Sequence, residues 1–233
     1  MSGFKRINVA LAMEETGLVP LFYHPDPQIC REVIAACHAG GARVFEFTNR
    51  GDFAHEVFAD VRKWALRELP DMMIGAGSVP DAPTAAIFMQ MGADFIVAPS
   101  LNPEVAKICN RRKVLWIPGC GTVTEISQAE ELGAEIVKIF PGASFGGPSF
   151  VKAVKGPCPW TSIMPTGGVE PTVENLGKWF GAGVTCVGMG SALVTDKIVK
   201  AGDWKTLTKT VRSTLGLIRR LRANNTLTEQ KES

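Results

Sequence analysis

Gly92-Ala93-Asp94-Phe95-Ile96-Val97-Ala98-Pro99-Ser100-Leu101-Asn102-Pro103 contains a complete change of structural period. The helical pattern Ala82–Met91 stops at Gly92, which can take the left-handed conformation that ends a helix. Ala93 is short enough for a helix and a sheet to approach closely. Phe95–Ala98 is then apolar without interruption, the pattern of a strand buried on both faces. A second helical pattern begins at Pro103 and runs to Arg112. The same punctuation returns at Gly41-Ala42, Gly133-Ala134 and Gly181-Ala182, each just ahead of another apolar run.

Working outward gives strand candidates at Val19–Tyr23, Val44–Thr48, Met73–Gly77, Phe95–Ala98, Leu115–Gly119, Ile136–Ile139, Ile163–Pro165 and Cys186–Gly188. Helical patterns lie between them at Pro27–Ala39, Ala54–Glu68, Ala82–Met91, Pro103–Arg112, Val123–Leu132 and Pro171–Phe180. Strict alternation of strand and helix implies parallel βαβ units. Eight strands with intervening helices predict an α/β fold, a (β/α)8 TIM barrel formed as one domain over 1–233. A doubly wound sheet is the alternative, but no G-x-G-x-x-G follows the first strand. An extra helix at about Phe4–Glu15, within the segment 1–17, is placed to cover the N-terminal mouth of the barrel. The last helix is expected over Trp204–Arg222, with Arg219, Arg220 and Arg222 complementing its dipole. A polar, frayed tail is expected over 224–233.

The chain of 233 residues is 45% hydrophobic and 21% charged, with a net charge of +2. That balance predicts a soluble protein with no nucleic acid and no membrane as partner. The N-terminal segment carries Glu14 and Glu15 and does not read as a signal peptide, and no run reaches a membrane-spanning length. Cys30, Cys37, Cys109, Cys120, Cys158 and Cys186 are scattered, which predicts reduced, mostly buried thiols and a cytoplasmic location. His24, His38 and His55 are also dispersed, and no His, Asp or Glu group has metal-ligand spacing, so no metal and no cofactor are expected.

Function in such a barrel gathers where the strands end. Alternation along Phe45-Glu46-Phe47-Thr48 sends the phenylalanines to the helix layer and Glu46 inward. Lys138 is the single charge in Ile136-Val137-Lys138-Ile139-Phe140. Burial favours a lysine's neutral amine, which can attack a ketone and form a Schiff base. Glu46 is then a candidate proton shuttle, although the two residues also suit a purely structural ion pair. Arg50 is a candidate for gripping a substrate carboxylate, or a solvated loop arginine. Glycine-rich turns end three strands, at Gly75–Ser78, Pro165–Gly168 and Gly188–Leu193, and the last is expected to open a helix. The turns after the seventh and eighth strands read either as a phosphate cradle of backbone N–H groups or as plain tight turns.

These blocks are similar to a known family. The chain resembles the 2-keto-3-deoxy-6-phosphogluconate (KDPG) and 4-hydroxy-2-oxoglutarate (KHG) aldolases, class I enzymes, from about Leu18 to Arg219. The resemblance rests on Val44–Thr48, Gly75–Val79, Phe95–Pro99, Ile117–Gly119, Val137–Gly142, Pro165–Val169 and Val187–Leu193, in the family's order. It implies a Schiff base on Lys138 with Glu46 as general acid and base. It further implies substrate contacts from Arg50, Ser78, Pro99 and Phe140, and a phosphate end at Thr166, Gly167, Gly168, Gly188, Gly190 and Ser191. The implied reaction cleaves KDPG reversibly to pyruvate and glyceraldehyde 3-phosphate, or KHG to pyruvate and glyoxylate. A galactonate epimer as substrate, and a phosphate-binding barrel without aldolase activity, are the alternatives. A homotrimer is implied as the assembly. The chain departs from the family at the substrate mouth: Tyr23-His24 stands where many relatives have a late strand-one arginine, and Asn49 and Gly51 flank Arg50.

Overall fold

The computed structural model describes residues 3–232, with side chains through Asn224. Among these, six strands form a parallel half-barrel: β1 (Leu18–Phe22), β2 (Val44–Thr48), β3 (Met73–Gly77), β4 (Phe95–Val97), β5 (Leu115–Ile117) and β9 (Val187–Met189). They are ordered β5-β4-β3-β2-β1-β9. A second parallel sheet is made of β6 (Gly119–Cys120), β7 (Val137–Ile139) and β8 (Ile163–Pro165). Pro118 divides the expected fifth strand into β5 and β6, because proline has no N–H to give a ladder. A single parallel bridge, Thr166 to Gly188, links the end of β8 to β9.

The helices that alternate with these strands are α2 (Pro27–Ala39), α3 (Ala54–Glu68), α4 (Ala82–Gln90), α5 (Pro103–Arg112), α6 (Val123–Glu131) and α8 (Val173–Gly181). They match the six helical patterns to within two residues at each end. Two more, α7 (Gly147–Lys155) and α9 (Asp196–Ala201), were not legible. The first starts among glycines with Pro148 in its first turn, and the second is only 6 residues long.

Strand alternation sorts the core into two layers. Phe45, Phe47, Ile96, Trp116, Val137, Ile139, Ile163 and Val187 pack with the surrounding helices. Their neighbours Val19, Val44, Phe95, Val97, Leu115, Ile117, Ile136, Met164 and Cys186 form a separate inner cluster. Val9 and Met13 of the first helix, α1 (Arg6–Thr16), complete that inner cluster. Most of those strand residues lie early in their strands, so α1 covers the N-terminal ends, as the sequence implies. The C-terminal ends are left to line the site.

Three expectations need correction. Left-handed glycines end helices at Gly41, Gly92 and Gly133, but the fourth is Gly183 (φ 92°), not Gly181, which is still helical. Trp179 and Phe180 hold the end of the helix against the core, Gly181 stays helical, and the left-handed glycine falls two residues later. The last helix, α10 (Trp204–Glu232), runs past Arg222, since no glycine or proline follows Gly216 to end it. Its backbone thus replaces the frayed tail expected from 224 onward, and Ser233 lies outside the described residues. Arg222 accordingly does not serve the α10 dipole: it donates to the carbonyls of Glu14, Glu15 and Thr185 and stacks on Phe180, 5.1 Å away.

Candidate active site

Lys138 and Glu46 reach the inner face from opposite sheets. β7 carries Lys138 between Gly119 of β6 and Met164 of β8, and β2 carries Glu46 between Leu21 of β1 and Gly75 of β3. Lys138 Nζ lies 3.9 Å from Glu46 Oε1, with side chains only 7% and 1% exposed. That separation is longer than a hydrogen bond, so the two are near without being locked together. Nζ also lies 4.9 Å from the centre of the Phe140 ring.

Glycines make this arrangement possible. A Cβ on Gly77 would stand 1.8 Å from Glu46 Oε1, and one on Gly75 would lie 2.3 Å from the Phe95 ring. Gly119 lets the Pro99 carbonyl pass where a Cβ would be 2.1 Å away, and Gly188 leaves the same kind of space for the Thr166 hydroxyl at 2.4 Å. Each of these glycines alternates onto the inner face, so the missing side chains hollow out that end of the sheet.

Burial pushes the Glu46 carboxyl above the ordinary carboxylate range, and the charges of Lys138 and then Arg50 oppose that rise. Oε2 of Glu46 and Oγ1 of Thr166 are both buried with no hydrogen-bond partner. Buried polar atoms are nearly always satisfied, and two orphans on one floor mark a place where a ligand supplies the partner. A carboxyl that holds its proton more readily than usual, beside a buried amine, can both deliver and accept a proton during addition to a carbonyl.

A cleft of about 620 Å³ opens over this floor. Of the residues singled out in the sequence, Arg50, Phe140, Thr166, Gly167, Gly168, Gly188, Gly190 and Ser191 line it. Lys138 and Glu46 are not on its wall and stand two residues back from Phe140 and Thr48, which are. Ser78 and Pro99 are not on its wall. Ser78 sits in the left-handed region (φ 57°) directly after Gly77, and Pro99 packs against Gly119, the strand neighbour of Lys138. Both border the lysine–glutamate floor rather than the cleft.

The far end of the cleft is built from turns. Gly167 and Gly168 have φ of 90° and 77°, which side chains other than glycine adopt at a cost. The segment after β9 does not open a helix directly. It forms one turn, closed by the N–H groups of Leu193 and Val194 on the Gly190 carbonyl, and α9 starts only at Asp196 under a Thr195 cap. Among the described residues, the N–H groups of Gly168, Ser191 and Ala192 find no protein acceptor. Such open donors form an anion-binding concavity.

Tyr23, which the sequence places at the substrate mouth, also lines the cleft, as do Thr48, Glu170 and Asp196, to which sequence reasoning assigned no role. Thr48 was recoverable, because it follows Glu46 by two and shares its face. Tyr23 packs edge-on against Phe47, and a Cβ on Gly51 would stand 3.3 Å from its hydroxyl. The two departures from the family pattern at the mouth therefore fit each other: Gly51 makes room for Tyr23. His24 does not line the cleft; its Nδ1 accepts from the Asp26 N–H. No group of three or more His, Cys, Asp or Glu side chains converges as metal ligands among the described residues.

Residues 9–210 match the family model described as KDPG and KHG aldolase. The chain is 34% identical over 194 residues to the 2-dehydro-3-deoxy-phosphogluconate aldolase of Pseudoalteromonas atlantica, covering 82% of this chain and 86% of that one. It is 33% identical to the KHG/KDPG aldolase of Escherichia coli K12 over 75% of this chain and 79% of its relative. Among solved structures, the KDPG aldolase of Legionella pneumophila, with pyruvate captured as a covalent carbinolamine, superposes with a TM-score of 0.80 at 25% identity. That superposition covers 88% of this chain and 97% of the other. With its matching blocks spread from one end of the fold to the other, the chain belongs to the KDPG and KHG aldolase family of lyases.

Proposed function

We propose that this protein is a class I aldolase that cleaves KDPG reversibly to pyruvate and glyceraldehyde 3-phosphate, with Lys138 as the Schiff-base residue. The observation that carries this reading is the buried Lys138–Glu46 pair, 3.9 Å apart under an open cleft. The neutral amine of Lys138 adds to the C2 carbonyl, giving a carbinolamine. Glu46 donates its proton to the departing hydroxyl, which leaves as water and yields the iminium. The Glu46 carboxylate then takes the proton of the C4 hydroxyl. The electrons of the C3–C4 bond flow to the iminium nitrogen, the aldehyde departs, and an enamine remains. Reprotonation at C3 and hydrolysis release pyruvate and restore the amine. No metal or other cofactor takes part in this scheme.

Arg50, which has no ion-pair or hydrogen-bond partner among the described residues, is free to pair with the substrate carboxylate. The open N–H groups of Gly168, Ser191 and Ala192 suit the phosphate of the substrate. Ser78 and Pro99 shape the floor around the reacting carbon. The two sheets are arcs of one closed (β/α)8 barrel in this reading, with β5 and β6 a single strand broken at Pro118, and the chain is one domain. The homotrimer typical of the family would give cover to exposed apolar side chains such as Trp160 and Val173. Six free thiols suit a reducing cytoplasm, and among the described residues no helix is long and apolar enough to cross a membrane.

Borohydride reduction in the presence of pyruvate, followed by peptide mapping, tests the chemistry. The expected result is a stable pyruvyl adduct on Lys138 and none in Lys138→Ala. A folded wild type that traps no pyruvate, or a Lys138→Ala protein that keeps full activity, overturns the reading.

A further inference from the structure

The charges on the cleft wall are unevenly placed. Arg50 lies at the β2 side, while Glu170 and Asp196 line the same cleft where the turns after β8 and β9 present their open N–H groups. Glu170 stands two residues beyond the Gly167-Gly168 turn. Its N–H donates to Asn175 Oδ1 at 2.9 Å, and Asn175 Nδ2 donates to the Gly168 carbonyl at 3.0 Å, so one side chain ties Glu170 to the turn. Asp196 opens α9, directly after the Thr195 cap. Neither carboxylate has a cationic or hydrogen-bonding side-chain partner among the described residues, and both residues line the cleft.

Two unpaired carboxylates beside an anion-binding turn have a chemical consequence. A carboxylate accepts hydrogen bonds and gives none, so it welcomes a hydroxyl and repels a phosphate that carries nearly two negative charges. At the rim of a solvated cleft, each carboxylate weakens phosphate binding by about two- to fourfold, and salt reduces the effect.

We propose that Glu170 and Asp196 are specificity-determining residues that turn the far end of the cleft toward an uncharged, hydroxyl-bearing tail, so that unphosphorylated 2-keto-3-deoxy sugar acids are accepted beside phosphorylated ones. The inference rests on the aldolase reading and deepens it: the backbone N–H groups attract the phosphate, and the two side chains set how strongly phosphate is preferred.

The test compares kcat/KM for KDPG and for unphosphorylated 2-keto-3-deoxygluconate in the wild type, in Glu170→Gln with Asp196→Asn, and in Glu131→Gln, a surface control on α6 away from the cleft. The wild type cleaves both substrates. In the double variant the ratio of phosphorylated to unphosphorylated efficiency rises about five- to tenfold, mainly through a lower KM for KDPG. The gain shrinks as salt is raised. Pyruvate trapping at Lys138 in every variant shows that the fold and the chemistry are intact. Trapping retained with a ratio unchanged within about twofold, or changed equally by Glu131→Gln, overturns this proposal alone. A wild type that traps no pyruvate overturns the aldolase reading, and this proposal with it.

Discussion

Gly77→Ala tests whether the inner face is hollowed for Glu46. Gly77 has no left-handed φ, so an alanine there strains no backbone. Its methyl carbon would instead stand 1.8 Å from Glu46 Oε1, 2.4 Å from Cδ and 2.7 Å from Cγ. Ordinary contact begins at 3.4 Å, so the carboxylate oxygen must retreat by about 1.6 Å, the difference from 1.8 Å. A misplacement of about 1 Å costs a catalytic group roughly 100-fold, and proton transfer by a positioned side chain is worth about 10²–10⁴-fold. The expected loss in kcat/KM is therefore about 10²–10³-fold, or roughly 3–4 kcal/mol. Stability should fall by about 1–3 kcal/mol, as for other overpacked cores. Glu46→Ala removes the clash, and in that background Gly77→Ala should cost less than about 0.5 kcal/mol, its methyl entering the vacated space. Urea denaturation of the four proteins closes the cycle, and pyruvate release gives the activities. Equal stability costs of Gly77→Ala in both backgrounds, or near wild-type activity in the single variant, would refute the argument.

Two further outcomes follow from the same geometry. Glu46→Gln should abolish most aldol cleavage yet raise the midpoint of thermal unfolding at neutral pH. The folded-state pKa of Glu46 is raised, so the wild type's share of stability from this group is complete below the ordinary value of 4.5 and is lost as pH climbs through the raised value. The difference between variant and wild type should therefore be small in acid and grow toward neutrality as the buried carboxyl loses its proton; a difference that is flat with pH would refute it. The helix stop at Gly183 predicts opposite signs for two neighbouring glycines. Gly183→Ala, at φ 92°, should destabilise by about 1–2 kcal/mol. Gly181→Ala, helical and with nothing within 4 Å of the added methyl, should stabilise by about 0.5–1 kcal/mol, and reversal of these signs in denaturant melts would place the stop back at Gly181.

The parallel strand–helix alternation was legible because it depends on residues close in sequence. A continuous apolar run and a 3.6-residue stripe are local patterns, and so is the left-handed glycine that ends α2, α4 or α5's neighbour α6. Lys138 and Glu46 were legible for a related reason, since a lone charge in an apolar strand is conspicuous anywhere. What the sequence hid depends on distant partners. Gly181 and Gly183 look alike until Trp179 and Phe180 are seen packing into the core. Arg222 reads as a helix-end cation until the carbonyls of Glu14 and Glu15 come round to meet it, more than 200 residues away along the chain. Glu170 and Asp196 read as ordinary surface acids, because nothing in the sequence says that the turns after β8 and β9 face one cleft.

The glycines on the inner face carry two lines of reasoning at once. Gly75, Gly77, Gly119 and Gly188 read as turn or strand-end residues in the sequence, yet each stands where a Cβ would collide with Phe95, Glu46, the Pro99 backbone or Thr166. At the opposite end of the strands, bulky Val19, Val44, Phe95, Leu115 and Met164 fill the interior, and α1 covers it with Val9 and Met13. One end of the sheet is thus packed for stability and the other is emptied of side chains so that a lysine and a carboxyl can share a dry floor. The cost is visible in the unpartnered Glu46 Oε2 and Thr166 Oγ1. A fold under selection for stability alone would fill that space with apolar side chains. That it holds two orphaned polar atoms and a buried amine instead is what the demands of a reaction, and not of folding, explain.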